Sequence, residues 1–188
     1  MQRTYLAIDL RGYPSPLYQT VCQVVPAEDY IRGSAHSRAV QGVEVEAVSQ
    51  LKGLSDTLLV FAGGGTSHRN RAFLKTKRID VLSHPYPFDS FQARLAAEDH
   101  IAIELCFADV LFTRGYLRAQ VLRRLSTTVR LSKKYHAPLI ITSGASCERE
   151  VVTPRTLVAF GRILGMEYNE AKASIWNIPG KVLEGFEW

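Results

Sequence analysis

Short apolar runs recur along the chain, and most of them are continuous rather than alternating with polar residues. Continuous runs of Val, Ile and Leu are typical of strands that are covered on both faces. They predict seven strands, at YLAIDL (5–10), VCQVV (21–25), VEVEAV (43–48), TLLVFAG (57–63), IDVLSH (79–84), IAIELCF (101–107) and PLIITSG (138–144).

Helical signals lie between these runs. Helices are predicted over residues 67–75, with Ser67 as the cap, and over residues 91–99, 114–135 and 169–176. A further helix is predicted to begin with Thr153 as N-cap and Pro154 as its first residue, and to end at Gly165. The segment NIPGK that follows Trp176 is predicted to turn the chain.

The predicted helix over residues 114–135 has two distinct sides. An apolar series at i, i+4 and i+8 is expected to face the core, at Leu117, Val121 and Leu125. A basic series at i, i+7 and i+11 is expected to face solvent, at Arg123, Arg130 and Lys134.

Strand and helix alternate along the whole chain, which predicts right-handed βαβ units and a parallel sheet, either open or closed into a barrel. Residues 1–188 are predicted to form one domain, because no repeat, low-complexity tract or linker interrupts them. Seven strands are few for an eightfold barrel. The expected fold is therefore an α/β, compact and irregular TIM-like (β/α) barrel.

The formal net charge of +5 comes from the middle of the chain. Residues 69–134 hold 13 basic and 6 acidic side chains, whereas each flanking segment holds 5 basic and 6 acidic ones. Arg outnumbers Lys 16 to 7, and arginine binds phosphate through two parallel hydrogen bonds and stacks on bases. The charge therefore indicates either an RNA or phosphate partner or an ordinary solvated basic face.

The loop AGGGTSHRN (62–70) precedes the basic segment RNRAFLKTKR (69–78). Three glycines at a helix N-terminus let the backbone approach an anion, but the loop lacks the lysine of a Walker A motif and the G-x-G-x-x-G spacing. A tight turn is the favoured interpretation of the loop. The basic segment beside it is a candidate for contact with a nucleic-acid backbone.

The cysteines and the N-terminal sequence indicate the cellular compartment of the protein. Cys22, Cys106 and Cys147 are odd in number and widely spaced, so each is predicted to be a reduced packing residue. We find neither a signal-peptide pattern nor an apolar run long enough to span a membrane. These features predict a cytoplasmic protein without a membrane partner.

Four polar residues lie at predicted strand ends, where barrel enzymes have their active sites: Asp9, His84, Glu104 and Ser143. Structural roles are favoured for all four over a metal site. Glu104 is expected to be buried and paired with an arginine, and His84 to lie in an extended turn before Pro85. Ser143 is expected to bond backbone rather than to act as a nucleophile, because G-x-S-x-G spacing is missing.

The order of the segments resembles one known family. KRIDVLSHP, HIAIELCFADVL, LSKKYHAPLIITSGAS and TPRTLVAFGRILGM follow one another, and an Asn-Glu-Ala helix comes next. Residues from about Arg78 to Trp176 closely resemble protein component 3 of archaeal and eukaryotic ribonuclease P. The most specific part is the strand that ends in Ser-Gly-Ala before a proline-started helix closing with Gly-Met. The N-terminal third matches mainly through YLAIDL.

The resemblance implies a fold related to PHP and amidohydrolase barrels but without their metal-binding histidines, since Asp9 stands where PHP barrels have their HxH pair. It also implies a subunit of an endoribonuclease in which a catalytic RNA, through its bound Mg²⁺, removes 5′ leaders from precursor tRNA. The protein itself is then expected to supply no catalytic residue and to bind no metal or cofactor. Its implied partners are the ribonuclease P RNA, protein component 2 and the other protein subunits, with precursor tRNA contacted indirectly.

On this interpretation the basic segments contact RNA. The predicted RNA-binding residues are Arg69, Arg71, Lys75, Lys77, Arg78, Arg114, Arg118, Arg123, Arg124, Arg130, Lys133, Lys134 and Arg155.

Two alternative functions remain open from the sequence. One is a metal-dependent phosphoesterase of PHP type that uses Asp9, His84 and Glu104. The other is a protein-interaction scaffold with an apolar patch formed by Tyr86, Phe88, Phe91, Phe186 and Trp188.

Overall fold

We describe residues 6–30, 41–55 and 57–185 in a computed structural model of the chain. Six parallel strands form one sheet in chain order: β3 (Gln23–Pro26), β4 (Gln41–Val45), β5 (Leu59–Gly63), β6 (Val81–Ser83), β7 (Ala102–Cys106) and β8 (Leu139–Thr142). Two shorter parallel strands precede them, β1 (Ile8–Asp9) and β2 (Thr20–Val21). All seven predicted strand segments thus contain strand, and the segment at 21–25 contributes to both β2 and β3.

The sheet curls into a half-barrel. The short strand β1 lies in the gap between the β3 edge and the β8 edge of the sheet. Cys22 alone separates β2 from β3, so one continuous stretch pairs with β1 through β2 and with β4 through β3. On the other side the Gly144 N–H, just after β8, donates to the Arg11 carbonyl at 2.9 Å, just after β1. The predicted irregular TIM-like (β/α) fold is confirmed.

The helices of the described residues are α1 (Ser67–Thr76), α2 (Ser90–Glu98), α3 (Ala108–Leu111), α4 (Gly115–Tyr135), α5 (Pro154–Ile163), α6 (Tyr168–Ala173) and α7 (Asn177–Glu184). Of these, α1, α2, α4, α5 and α6 pack apolar residues against the outer face of the sheet. The predicted cap and stop of α5 are confirmed, since the Thr153 hydroxyl accepts from the Thr156 N–H and Gly165 has φ +101°. The cap of α1 is Thr66 rather than Ser67, because the Thr66 hydroxyl accepts from the Arg69 N–H.

Two helical predictions are wrong. NIPGK does not turn the chain but begins α7, where Pro179 lies in the first turn and removes no helical hydrogen bond. Leu117 does not face the core, because it is 61% exposed at the start of α4 before the helix reaches the sheet. Leu125, two turns later, is fully buried, and the basic stripe of Arg123, Arg130 and Lys134 is exposed as predicted.

The last four strands of the sheet, β5 to β8, are buried on both faces. Phe61, Val81 and Ile140 point into the half-barrel, while their neighbours along the strands pack against the helices. Val182 of α7 joins the inner cluster, so α7 covers the inner apolar surface that an open half-barrel would expose to water. Burial on both faces explains why the sequences of these four strands lack polar alternation.

Candidate nucleic-acid interface and the barrel mouth

The mouth of the barrel, at the carboxyl ends of the strands, contains a buried cation. Arg11, just after β1, donates through Nη1 and Nη2 to both oxygens of Glu44, at 3.0 and 2.9 Å. Its Nε lies 3.0 Å from Oε1 of Glu104, and its Nη2 also donates to the Ser83 hydroxyl at 3.0 Å. The guanidinium lies against the Phe61 ring, 4.8 Å from its centroid. The prediction that Glu104 is buried and paired with an arginine is confirmed.

Arg11 occupies the carboxylate of Glu104, which a phosphoesterase of this type would need as a metal ligand. The Glu104 side chain is completely buried, and the positive charge that compensates it comes from Arg11. A divalent ion at Glu104 would have to displace or repel that guanidinium. The structure therefore does not bring Asp9, His84 and Glu104 together around one cation position, and the PHP-type phosphoesterase is not supported.

Asp9 and Ser143 together join β1 to β8. One Asp9 carboxylate oxygen accepts from the Ser143 N–H at 3.1 Å and from the Arg11 N–H at 3.3 Å. Burial raises the pKa of Asp9 to about 7, although the bonds to Ser143 oppose the rise. The Ser143 hydroxyl accepts from the Ala145 N–H at 3.1 Å. Ser143 thus shapes the turn after β8, as predicted.

His84 leaves the extended conformation that was predicted before Pro85 and has φ +46°. Its imidazole Nε2 lies 2.9 Å from an Asp109 carboxylate oxygen. The bond to Asp109, and a second one to Cys106, raise the pKa of His84 to about 11. His84 therefore faces Cys106 and Asp109 rather than Asp9 or Glu104.

The glycine loop at 62–70 is a tight turn, as favoured from the sequence. The Gly64 N–H donates to the Ser83 carbonyl at 2.7 Å, and the Gly65 N–H donates to the Asn70 side chain at 3.2 Å. A Cβ at Gly64 would lie 2.7 Å from the Ser83 carbonyl oxygen, so close packing against β6 requires glycine there. These two N–H groups are not available to an anion.

The basic residues lie on adjacent helices, because α1 packs against α2 and α2 packs against α4. Several predicted RNA contacts are partly neutralised by carboxylates on the same surface. These pairs are Arg69–Glu46 (3.6 Å), Arg71–Asp89 (2.6 Å), Lys77–Asp99 (2.7 Å) and Lys133–Glu170 (2.7 Å). Their side chains are at least partly exposed, so each pair contributes little stability and can exchange its carboxylate for a phosphate.

The outer side of α4 is different. Within the described residues, no carboxylate pairs with Arg123, Arg130 or Lys134, and all three are exposed. Lys134 rests against the Tyr135 ring, 5.3 Å from its centroid. We call these three residues the α4 stripe. Uncompensated cations in a row on one helix face are the arrangement expected of a surface that neutralises successive phosphates.

A pocket of about 320 Å³ adjoins the α4 stripe. Its lining residues are Tyr86, Pro87, Phe88, Gln120, Arg123, Arg124 and Thr127. The Tyr86 hydroxyl is buried and has no hydrogen-bond partner among the described residues. Aromatic rings and guanidinium groups are the side chains on which unpaired RNA bases stack.

The remaining predicted contacts have other surroundings. Lys75 and Arg114 are exposed on α1 and at the N-cap of α4, respectively, and Arg78 is exposed just after α1. Arg118 is held inward, because its Nε donates to the carbonyls of Val110 and Thr113, and that geometry makes it a structural residue of the α3–α4 junction. Arg155 lies on α5, which follows β8, whereas α1 follows β5. Two strands, β6 and β7, lie between β5 and β8 in the sheet. The thirteen residues therefore do not share one face.

The described members of the apolar patch suggested from the sequence differ in exposure. Phe91 is 44% exposed, with the Arg71 guanidinium 5.2 Å from its ring centroid, whereas Phe88 is only 9% exposed and Tyr86 is half-buried. Phe186 and Trp188 lie outside the described residues. Exposed apolar side chains also line a groove of about 880 Å³ beside α5 and α6, among them Leu6, Tyr168 and Trp176.

The cysteines are free thiols, as predicted. Cys22 and Cys106 are buried packing residues, but Cys147 is exposed, so the packing role predicted for it is wrong. No helix in the described ranges is long and apolar enough to cross a membrane.

Sequence reasoning missed Arg11, although it identified Glu104 as the buried carboxylate. Arg11 follows the first strand directly, and a charged residue at a strand end of a barrel is a recognisable signal. The pairing itself was not visible, because Glu44 lies on β4 and Glu104 lies on β7, far from Arg11 in the sequence.

The fold and surface define a class: a small parallel half-barrel whose mouth is closed by an internal ion pair and whose long outer helix carries a stripe of exposed cations. Residues 18–186 match the family model described as RNase P subunit p30. The chain belongs to this family.

Curated relatives agree with this assignment. The chain is 34% identical over 132 residues to ribonuclease P protein component 3 of Methanothermobacter thermautotrophicus, a match that covers 67% of this chain and 54% of that protein. It is 32% identical over 172 residues to component 3 of Methanosarcina mazei, covering 85% of this chain and 70% of that protein.

A solved structure shows the same fold. A chain in the cryo-EM structure of archaeal ribonuclease P with mature tRNA superposes with a TM-score of 0.81 at 23% identity, over 95% of this chain and 90% of that chain. The two chains therefore share the irregular half-barrel fold.

Proposed function

We propose that this chain is a protein subunit of ribonuclease P that supports a catalytic RNA in removing 5′ leaders from precursor tRNA. The observation that carries the proposal is the α4 stripe, three exposed cations without carboxylate partners among the described residues, in a chain of the p30 family. The relatives are named as ribonuclease P protein component 3, which supports the same assignment.

In this function the protein works by electrostatics and shape rather than by covalent chemistry. The α4 stripe neutralises phosphates and displaces their counterions, which stabilises a compact RNA. The paired cations at Arg69, Arg71, Lys77 and Lys133 add contacts when RNA phosphates replace their carboxylates. The pocket beside Arg124 accepts an unpaired base against the half-buried Tyr86 ring.

The hydrolytic step is assigned to Mg²⁺ held by the RNA subunit. The polar residues of the barrel mouth have internal partners instead: Arg11 with Glu44 and Glu104, and Asp9 with Ser143. Precursor tRNA is contacted indirectly, through the RNA that the subunit supports. The compartment we propose is the cytoplasm, in keeping with three free cysteines.

Protein partners belong to the proposal as well, namely ribonuclease P protein component 2 and the other protein subunits. The groove beside α5 and α6 offers exposed apolar side chains with Arg155, Arg162 and Lys172 on its lining. Such a surface suits a protein partner that presents apolar side chains flanked by carboxylates.

Reconstitution tests the proposal. The cognate RNA is assayed for precursor-tRNA cleavage at low Mg²⁺, alone and with this chain plus its component 2 partner. We expect the two proteins together to lower the Mg²⁺ concentration needed for cleavage, and omission of this chain to abolish that effect. An unchanged Mg²⁺ requirement, in a mixture where both proteins are folded, would show that the proposal is wrong.

A further inference from the structure

Three potential metal ligands meet beside the barrel mouth, outside the Arg11 ion pair. They are the His84 imidazole after β6, the Cys106 thiol at the end of β7 and the Asp109 carboxylate on α3. One ligand atom from each lies within 4.8 Å of the others, and His84 Nε2 is 2.9 Å from the Asp109 oxygen. We propose that His84, Cys106 and Asp109 form a binding site for a zinc-class divalent ion.

The chemistry of the three donors selects this class of ion. A thiolate and an imidazole disfavour Mg²⁺ and Ca²⁺, which prefer oxygen ligands, and suit Zn²⁺ or Co²⁺. In a tetrahedral zinc site the ligand distances are roughly 2.0–2.3 Å, so a nitrogen and an oxygen ligand stand about 3.3 Å apart. The present separation of His84 and Asp109 must therefore open only slightly to admit an ion.

The surrounding backbone holds the ligands in place. The α3 segment is tied to β8, because the Phe107 N–H donates to the Thr142 carbonyl and the Ala108 N–H donates to the Ser143 carbonyl, at 2.9 and 3.1 Å. Gly144 packs against the Cys106 sulfur, since a Cβ there would lie 2.5 Å from it. Cys106 is buried while His84 is partly exposed, so an ion has a path from solvent. Three protein ligands leave the fourth position to water.

The proposed site uses side chains that the RNA-binding function leaves without a role. It is also separate from the carboxylates at Glu44 and Glu104, which Arg11 already compensates. A bound ion would link the ends of β6 and β7 to α3, immediately before α4 begins at Gly115. The ion would thereby hold the α3–α4 junction, and with it the start of the helix that carries the α4 stripe.

The test uses the full chain after chelator treatment, titrated with Co²⁺ as a spectroscopic probe and then with Zn²⁺ as competitor. We expect one equivalent of Co²⁺ to give a thiolate-to-cobalt charge-transfer band that Zn²⁺ removes. His84→Gln and Asp109→Asn should each lower Co²⁺ affinity at least tenfold, and Cys106→Ser should abolish the band. Circular dichroism establishes that each variant is folded.

Cysteine variants elsewhere are the matched controls. Cys22→Ser replaces another buried thiol, and Cys147→Ser replaces an exposed one, so neither should change the band. If no thiolate band forms, or if the band persists in folded His84→Gln and Asp109→Asn proteins, the site does not exist. Loss of the band in Cys147→Ser would assign the metal to a surface thiol and overturn the proposal. None of these outcomes depends on RNA binding.

Discussion

Arg11 and Glu104 form an ion pair inside the mouth of the barrel, with Nε and Oε1 3.0 Å apart and the Glu104 side chain fully buried. Arg11 follows β1 and Glu104 lies on β7, so the pair joins the beginning of the fold to the main sheet. In a barrel whose strand ends would otherwise offer carboxylates to a metal, an internal guanidinium supplies the compensating charge.

Removing one member of the pair should destabilise the protein strongly. We expect Glu104→Gln to lower the free energy of unfolding by about 3 kcal/mol, because Arg11 loses a buried counter-charge. Glu44→Gln should cost less, on the order of 1 kcal/mol, because the Glu44 side chain is 25% exposed and water can replace its bonds. Urea denaturation measures both values, and a Glu104→Gln protein as stable as the parent would refute the role of the pair.

Gly144 is expected to be intolerant of any side chain. Its φ is +66°, and an added Cβ would lie 2.5 Å from the Cys106 sulfur and 2.7 Å from Ala108 Cβ. Gly53→Ala is the matched control, because Gly53 has φ +89° with nothing within 4 Å of the added atom. Both variants should lose about 1 kcal/mol through backbone strain, and Gly144→Ala should lose at least a further 1–3 kcal/mol through overpacking. Equal losses in thermal denaturation would contradict this packing.

The sequence predicted the local elements well but not the contacts between them. Strands such as β7 and β8 were recognisable because both-face burial leaves continuous apolar runs. The α7 helix was missed because Pro179 and Gly180 are typical of turns, although proline is tolerated in a first helical turn. Leu117 was misplaced because helical periodicity does not tell where a helix first meets the sheet.

For the candidate sites, too, local exposure could be predicted from the sequence, but the partners of each side chain could not. The α4 stripe follows from helical spacing alone, so its exposure was predictable. The partners of Arg71 and Lys133 were not predictable, because Asp89 and Glu170 come from other elements. His84 was grouped with Asp9 and Glu104 because all three were placed at the ends of predicted strands, whereas the left-handed backbone at His84 turns it towards Cys106 and Asp109.

Stability should depend on pH through Asp9. Burial raises its pKa from 3.8 to about 7, so the folded protein holds a proton that the unfolded chain releases above pH 4. Stability from this group is therefore greatest below about pH 4 and falls as the pH rises through about 7, by roughly 4 kcal/mol in all. Asp9→Asn keeps an acceptor oxygen for Ser143 without the charge.

We therefore expect Asp9→Asn to be as stable as the parent at pH 4 and more stable than the parent at pH 8. Urea denaturation at several pH values measures the difference in the free energy of unfolding between the two proteins. Titrating groups that both proteins contain, such as Asp80 with its raised pKa, contribute equally and do not affect this difference. A difference that does not change between pH 4 and pH 8 would show that Asp9 does not titrate in this range.

The α4 stripe should account for a large part of the salt dependence of RNA binding. Changing Arg123, Arg130 and Lys134 together to Ala should reduce the slope of log K against log salt by about 2, since each phosphate contact contributes roughly 0.7–0.9. The fold should be retained, because all three side chains are exposed. Fluorescence anisotropy with the cognate ribonuclease P RNA, at several salt concentrations, gives the slope.

A second triple variant separates contact from net charge. Lys52, Arg149 and Lys172 are exposed cations on other elements, so changing them to Ala removes the same charge away from the α4 stripe. We expect this control to reduce affinity slightly and to leave the slope nearly unchanged, because these side chains release no counterions at the RNA surface. Equal slopes for the two triple variants would mean that RNA responds only to total charge, and the α4 stripe would then not be the interface.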